Sequence, residues 1–272
     1  MRRLAALLAL MLAPPAFANE PVELTFIANE GVILRQGEYA VAIDTPSWNS
    51  YEGTYAIPSE AMVNALTTGT YPAGRLDAML FTHIHGDHFD ASGAAGIIEA
   101  QQPPPLILGG DQVIDAFVEA GGDETRAMRP QVVDGTCETA GQPTCAYTLG
   151  LVMPSRDAFP RIDARPLFHR AGISHWTYRV EMGGVSVLHL GDTQPQLADF
   201  SIWDGVDFDV ILYPYWFAQM EEGAAFLAAH PNARTIAFHI PANASSQRVI
   251  AMLNGADYLH TEGETRILSA AQ

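Results

Sequence analysis

Residues 82–90, THIHGDHFD, constrain this chain more than any other segment. They place three of its nine histidines and an aspartate within six positions, directly behind the apolar run DAMLF at 77–81, which is typical of a β-strand. His83 and His85 are two residues apart and leave the same face of an extended segment. Gly86 then lets the chain turn, so that Asp87 and His88 return toward the first pair. Imidazole and carboxylate groups suit a borderline divalent ion such as zinc, so this segment predicts a metal site at a strand end.

The rest of the chain alternates strand-like and helix-like segments, a pattern typical of a layered α/β fold. Glycines separate three strand-like segments near the start, at 22–29, 31–37 and 39–45. From residue 57 onward, helical patterns take turns with short apolar runs as far as a last strand at 265–269. No long linker interrupts this alternation, so residues 19–272 are predicted to form one domain.

The N-terminal segment, residues 1–18, has the features of a secretory signal peptide. Two arginines precede an apolar run at 4–12, and the small residues Ala16 and Ala18 mark a cleavage site after Ala18. The run is far shorter than the ~20 residues of a membrane-spanning helix, which disfavours the alternative of an uncleaved anchor. We therefore expect a periplasmic or secreted protein.

The formal charge of −17 limits the partners. Such a surface repels nucleic-acid phosphates and anionic lipid headgroups. No stretch after the N-terminal segment is long and apolar enough to cross a bilayer. We therefore expect no nucleic acid and no stable membrane insertion, and a small molecule as the substrate.

The chain has two cysteines, Cys137 and Cys145, in the turn-rich segment GTCETAGQPTC. In an oxidising compartment this spacing predicts a disulfide that closes a small loop, with free thiols as the alternative. Two cysteines without further ligands nearby make a poor zinc site.

The motif HIHGDH resembles the H-x-H-x-D-H signature of the metallo-β-lactamase superfamily. The wider segment LFTHIHGDHFD is similar to the branch that contains lactonases, phosphodiesterases and tRNA-processing nucleases. Later segments, LHLGDT at 188–193 and TIAFHIP at 235–241, resemble further landmarks of that family in the same order. The resemblance implies a four-layer αββα sandwich with mixed sheets and a site for one or two metal ions at strand ends.

The same resemblance implies a ligand set. His83, His85 and a third histidine would hold one ion, while Asp87, His88 and His239 would hold a second. Asp192 would join the two, and Asp87 would also orient the nucleophile and take up its proton. Two zinc ions are expected, with manganese or iron as alternatives.

The third histidine is either His169 or His175. A two-residue hairpin at Gly183 and Gly184 would place position 175 opposite Asp192. The resemblance favours His169, at the end of the predicted strand 164–169, with His175 either supporting the ligands from behind or contacting the substrate.

A site of this kind implies a hydrolase that uses a metal-bound hydroxide to cleave an ester, lactone or phosphodiester bond. A non-hydrolytic metal-binding protein of the same fold is one alternative. A β-lactam hydrolase is another, but the best-known lactamase subclass has a cysteine ligand where this chain has Asp192. Four aromatic residues are expected to line the substrate pocket, unless their rings fill the core instead: Trp48, Tyr51, Tyr213 and Trp216.

Overall fold

The computed structural model describes residues 20–130 and 160–270. The predicted signal peptide and both cysteines lie outside these residues, so the cleavage site and the disulfide stay predictions. None of the helices within the described ranges is long and apolar enough to span a membrane.

The first half of the chain supplies most of a seven-stranded sheet. Its strands are β1 (Val22–Ala28), β2 (Gly31–Gln36), β3 (Tyr39–Ile43), β4 (Ala78–Phe81), β5 (Leu106–Gly109) and β6 (Ala127–Met128), and the last strand of the chain, β13 (Thr265–Leu268), pairs with β1. Strands β1 to β3 and β13 pair antiparallel, whereas β3 to β6 run parallel. The helices of this half are α1 (Glu60–Thr68), α2 (Ala91–Ala100) and α3 (Asp111–Glu119).

The second half forms a six-stranded sheet with the same sequence of pairings. Its strands are β7 (Arg161–Pro166), β8 (Trp176–Met182), β9 (Val185–His189), β10 (Val210–Pro214), β11 (Arg234–Phe238) and β12 (Asp257–Tyr258), adjacent in that order. Strands β7 to β9 are antiparallel and β9 to β12 are parallel. Helices α4 (Glu221–Ala229) and α5 (Ser246–Leu253) belong to this half.

Three separate hydrophobic clusters define four layers. One lies between the two sheets, one between the first sheet and helices α1 to α3, and one between the second sheet and helices α4 and α5. Strand β3 shows how a short strand serves two of these layers. Tyr39, Val41 and Ile43 pack toward the second sheet, whereas Ala40 and Ala42 pack toward the helices, because successive side chains of a strand point to opposite faces. The predicted αββα sandwich with mixed sheets is confirmed.

The predicted hairpin between β8 and β9 is present. Gly183 and Gly184 have φ angles of 57° and 77°, the left-handed values that a type I′ turn needs at both central positions. The register pairs Met182 with Val185 and Tyr178 with His189. Continued past the end of the ladder, that register places position 175 opposite position 192, as the sequence predicts.

Candidate metal centre

The turn after β4 fixes the arrangement of the HIHGDH motif. The backbone N–H groups of His88 and Phe89 both donate to the carbonyl of His85, at 3.0 and 2.9 Å. The Phe89 ring packs against that of Phe81, with centroids 4.7 Å apart, which anchors the turn to the strand. Asp90 then caps helix α2 by accepting from the N–H of Gly93. The motif is therefore held by its own backbone and by the helix that follows.

The first group of donor atoms comes from His83, His85, His169 and Asp192, and these atoms lie within 4.8 Å of one another. His83 Nε2 is 2.8 Å from His85 Nδ1. It is also 3.8 Å from Asp192 Oδ2, the same distance that separates His169 Nε2 from that oxygen. The segments that follow β7 and β9 thus meet the HIHGDH motif at one group of donor atoms.

The second group comes from Asp87, His88 and His239. His239 Nε2 is 3.4 Å from Asp87 Oδ2, and His88 Nε2 is 3.5 Å from the same oxygen. Asp192 faces this group too, since its Oδ1 is 3.2 Å from His239 Nε2 and its Oδ2 is 3.5 Å from His88 Nε2. Asp192 is therefore shared by both groups.

These donors fit divalent ions on two physical grounds. At zinc–ligand bonds of about 2.1 Å, ligand atoms in a tetrahedron lie roughly 3.4 Å apart, which is close to most of the separations above. Buried polar atoms normally have hydrogen-bond partners, yet four of the facing atoms lack one: His88 Nε2, His169 Nε2, His239 Nε2 and Asp192 Oδ1. One cation bound in each group would together satisfy all four.

Asp44 and Thr82 hold two of the imidazoles from behind. Thr82 Oγ1 donates to Asp44 Oδ2 at 2.7 Å and lies 3.0 Å from His83 Nδ1, so its oxygen accepts a hydrogen bond from the N–H of that nitrogen. Asp44 Oδ2 also accepts from His88 Nδ1 at 2.9 Å. With Nδ1 bonded in this way, both rings direct Nε2 toward the centre. The sequence patterns did not point to Asp44, although it follows β3 directly and β3 and β4 run parallel, which brings their ends together.

Asn29 and Glu30, in the turn between β1 and β2, were also missed. Asn29 Nδ2 donates to the carbonyl and the Oδ2 of Asp87, at 3.1 and 3.2 Å, and so orients that carboxylate. Glu30 is fully buried, with Oε2 3.5 Å from His88 Nδ1, and neither of its oxygens has a hydrogen-bond partner among the described residues. Burial, followed by the charge of Asp192, raises the pKa of Glu30 well above its usual value. In the sequence, the feature that could have indicated Glu30 is a single acidic residue between two apolar strands.

The pKa shifts of the donor atoms decide how readily each can bind a cation. Burial by itself would raise the pKa of Asp192, but the positive field of His239 and His88 holds it well below its usual range. Burial lowers the pKa of His83 well below its ordinary value, which favours the neutral ring. Burial would likewise lower the pKa of His88, but Asp192 and then Glu30 raise it well above that value, so a cation at its Nε2 would displace a proton.

The two candidates for the third histidine differ in position and in hydrogen-bond partner. His169 Nδ1 donates to the backbone carbonyl of Asp192 at 2.8 Å, which turns Nε2 toward the centre. His169 lies in the loop after β7 and not at the end of that strand as expected, because β7 ends at Pro166. Proline has no N–H group with which to continue the hydrogen bonds of the sheet. His175 Nδ1 instead donates to the carbonyl of Leu167 at 3.0 Å, and His175 belongs to neither donor group.

An open cavity of about 320 Å³ lies over the two groups. Its lining consists of Tyr51, Thr54, Tyr55, His85, Asp87, His169, Arg170 and Asp192. Tyr55 packs edge-on against the His239 ring with centroids 4.4 Å apart, and Trp216 does the same at 4.9 Å. Burial, with the charges of Asp87 and Asp192, raises the pKa of Tyr55 to about 12, so its hydroxyl keeps its proton at neutral pH.

Two of the four aromatic residues expected at the pocket lie elsewhere. Tyr213 is 2% exposed and packs in the cluster between the second sheet and the helices, because alternation along β10 turns its side chain away from the inter-sheet face. Trp48 packs beside Gly93 at the start of α2, with Nε1 2.7 Å from where a Cβ of that glycine would lie. Tyr51 lines the cavity as expected, and Trp216 contacts the His239 ring.

Neither a protein-family model nor a curated protein sequence matches this chain. Its likeness to known proteins lies in the three-dimensional structure.

Several solved structures share the fold over nearly the whole chain. An isothiocyanate hydrolase from Delia radicum gut bacteria has a TM-score of 0.61 at 14% identity and covers 91% of this chain and 100% of that one. The short form of human tRNase Z has a TM-score of 0.59 at 15% identity, with 91% and 99% covered. The metallo-β-lactamase fold protein YhfI from Bacillus subtilis has a TM-score of 0.57 at 18% identity, with the same coverage. The chain therefore has the metallo-β-lactamase fold, and its described residues include groups of histidine and aspartate side chains that could hold a metal ion.

Proposed function

We propose that this protein is a metal-dependent hydrolase, loaded with two zinc ions, that cleaves an ester, lactone or phosphodiester bond of a small molecule. The observation that carries this proposal is the pair of adjoining donor groups that share Asp192, beneath an open cavity. When bound, two divalent ions would supply an acidified water and would polarise the oxygen of the scissile group.

The side chains divide the remaining work. His83, His85 and His169 would hold one ion, Asp87, His88 and His239 the other, with Asp192 between them. Asp87 is held by Asn29 and faces the cavity, so it would orient the attacking water and take up its proton. Tyr55 keeps its own proton and lines the same cavity, where it would donate a hydrogen bond to a substrate oxygen.

We also propose that the protein acts outside the cytoplasm. The support is the signal-like segment that ends at Ala18, which would leave residues 19–272 as the mature domain. In that compartment Cys137 and Cys145 would form a disulfide.

The test is a substrate screen with the mature protein. Metal content is measured by elemental analysis, and turnover is followed on ester, lactone, phosphodiester and β-lactam substrates with and without chelator. We expect about two zinc ions per chain and chelator-sensitive turnover in at least one of the first three classes. Replacing Asp192 by Asn should lower activity by at least about a hundredfold.

Asp163→Asn is the matched control, because Asp163 is also a buried aspartate of the second sheet but pairs with Arg179 at 2.9 Å. It should keep both ions and full turnover. Two bound ions with no turnover on any substrate would favour the non-hydrolytic metal-binding protein instead. Turnover confined to β-lactams would favour the lactamase, and iron in place of zinc would contradict the metal assignment.

A further inference from the structure

Arg170 is a cation at the mouth of the cavity. It follows His169 directly and lines the cavity together with Tyr51, Thr54 and Tyr55. A positive side chain at this place is unexpected in a chain with a formal charge of −17.

Arg170 also differs from the other arginines in its contacts. Within residues 20–130 and 160–270, nine arginine side chains bond to a carboxylate or a backbone carbonyl: Arg35, Arg75, Arg126, Arg129, Arg161, Arg165, Arg179, Arg234 and Arg266. Arg170 and Arg248 have no such bond to a described residue. Arg248 is on the exposed side of α5, whereas Arg170 lies beside the candidate centre. Its five N–H donors are thus available to a ligand.

The loop that presents Arg170 is fixed at several points. The Gln112 side chain donates to the carbonyl of Gly172 and accepts from the N–H of Ser174, both at 2.8 Å. His169 is bonded to the Asp192 carbonyl, and the N–H of Gln194 donates to the carbonyl of Phe168 at 2.8 Å. Because the backbone is held in this way, a ligand would need to order only the Arg170 side chain and not the loop.

The charge of the loaded cavity favours an anion. Asp87 and Asp192 are the carboxylates in its lining, and two divalent ions would more than neutralise them. Arg170 adds a further positive charge on the rim. Guanidinium groups bind carboxylate and phosphate oxygens through two parallel hydrogen bonds. Tyr51, which is 43% exposed, and Tyr55 stand beside it as an aromatic surface for the apolar part of a ligand.

We propose that Arg170 binds an oxyanion, a carboxylate or a phosphate, that the substrate carries in addition to the bond that is cleaved. This inference rests on the proposed metal-dependent hydrolysis, and it narrows the substrate class to small anionic esters, lactones or phosphodiesters. The ions would hold the reacting group, and Arg170 would hold the second group across the cavity.

A binding experiment tests this without requiring turnover. Zinc-loaded mature protein is titrated calorimetrically with pentanoate, with glutarate and with 4-phosphonobutanoate, which share one carboxylate and differ at the other end. We expect the wild type to bind at least one of the two doubly anionic ligands about tenfold more tightly than pentanoate. Preference for glutarate would indicate a carboxylate, and preference for 4-phosphonobutanoate a phosphate.

Variants assign that preference to the guanidinium. Arg170→Gln should abolish it, Arg170→Lys should keep part of it, and Arg248→Gln, which changes the other unbonded arginine, should leave it unchanged. Metal content and thermal melting are measured for each variant, so that a loss of preference is not confused with unfolding. Equal binding of all three ligands by the wild type, or an undiminished preference in Arg170→Gln, would overturn the proposal.

A kinetic comparison separates this inference from the hydrolase proposal. Mono(4-nitrophenyl) glutarate and 4-nitrophenyl pentanoate differ in one carboxylate. If both are hydrolysed, Arg170→Gln should raise KM about tenfold for the glutarate ester alone and leave kcat nearly unchanged. Loss of glutarate binding in Arg170→Gln, with no chelator-sensitive turnover of any ester, lactone or phosphodiester, would sustain the oxyanion site and contradict the hydrolase. Chelator-sensitive hydrolysis that is equal for both esters in every variant would support the hydrolase and contradict the oxyanion site.

Discussion

At the scale of single residues, the partner of one ring nitrogen decides what each histidine can do. His83, His88 and His169 each donate Nδ1–H to an oxygen, and each therefore directs Nε2 toward the other donor atoms. His189 uses both nitrogens, since Nε2 donates to the carbonyl of Glu30 and Nδ1 accepts from the N–H of Gly191. The first three can bind a cation, whereas His189 braces the backbone.

The two candidates for the third ligand can be separated by single substitutions. His169→Ala should remove one of two ions per chain, because it deletes a donor atom that faces Asp192. His175→Ala should keep both ions, with metal affinity reduced by no more than about tenfold through loosened support. Elemental analysis after dialysis against a weak chelator measures both. Loss of an ion in His175→Ala but not in His169→Ala would contradict the assignment.

At the scale of elements, the centre is built from the residues that come just after strands. Asn29, Asp44 and His239 follow β1, β3 and β11 directly, and each has a positive φ, at 52°, 50° and 56°. This backbone conformation is costly for residues other than glycine, and it recurs at functional sites where the surrounding fold imposes it. It turns each side chain out of the strand path and into the space between the sheets.

Gly191, after β9, lies in a turn that is too closely packed to accept a Cβ atom. Its φ is 53°, and a Cβ there would lie 2.6 Å from His175 Nε2 and 2.9 Å from Thr82 Cγ2. Gly191→Ala should destabilise the protein by about 2 to 4 kcal/mol, from backbone strain plus overpacking. It should also weaken metal binding, because Thr82 supports His83.

Gly184→Ala is the matched control for strain alone. Gly184 has a φ of 77°, but a Cβ added there would meet nothing within 4 Å, so the cost should be about 1 to 2 kcal/mol with unchanged metal content. Urea unfolding and elemental analysis measure both variants. Equal losses of stability would show that the contacts around Gly191 relax without cost.

At the scale of the whole molecule, the two halves of the chain repeat one pattern of strand pairing and meet at the centre. The first half contributes the HIHGDH motif with Asn29 and Asp44, and the second contributes His169, Asp192 and His239. The centre therefore exists only when the two sheets are packed together. Buried titratable groups at this junction link folding to pH.

Acid should destabilise the metal-free protein in part through His175. Burial lowers the pKa of His175 to about 3, from the ordinary 6.5 that it regains on unfolding. Between these values the unfolded chain binds the extra proton, so this stabilising contribution is complete above pH 6.5 and is lost as pH falls toward 3. The loss from this group is about 1.4 kcal/mol per pH unit.

The measurement is urea unfolding of chelator-treated protein from about pH 7 to about pH 4, the range over which this group should act. His175→Asn keeps a donor for the Leu167 carbonyl but cannot take up the proton, so its stability should fall less steeply with acid than that of the wild type. Parallel pH profiles for the two proteins would contradict this account.

Much of the fold follows from local patterns. Alternation of strand and helix patterns predicts the layers, and Gly183 with Gly184 predicts the hairpin and its register. The four donor side chains of the HIHGDH motif are close because of their spacing in one turn. Each of these features depends on residues near one another in the chain, which is why they can be predicted from the sequence alone.

The remaining features depend on how separate strands approach. Asp44 reaches His88 because β3 and β4 are parallel neighbours, and no local pattern links these two distant positions. Tyr213 packs toward the helices and Arg170 lines the cavity. The residues next to them in the chain do not predict the direction of either side chain. Side-chain direction at a strand end is set by backbone turns and by packing between sheets. The residues that surround the metal centre are therefore selected by the packed fold, because local sequence does not encode how two distant strands meet.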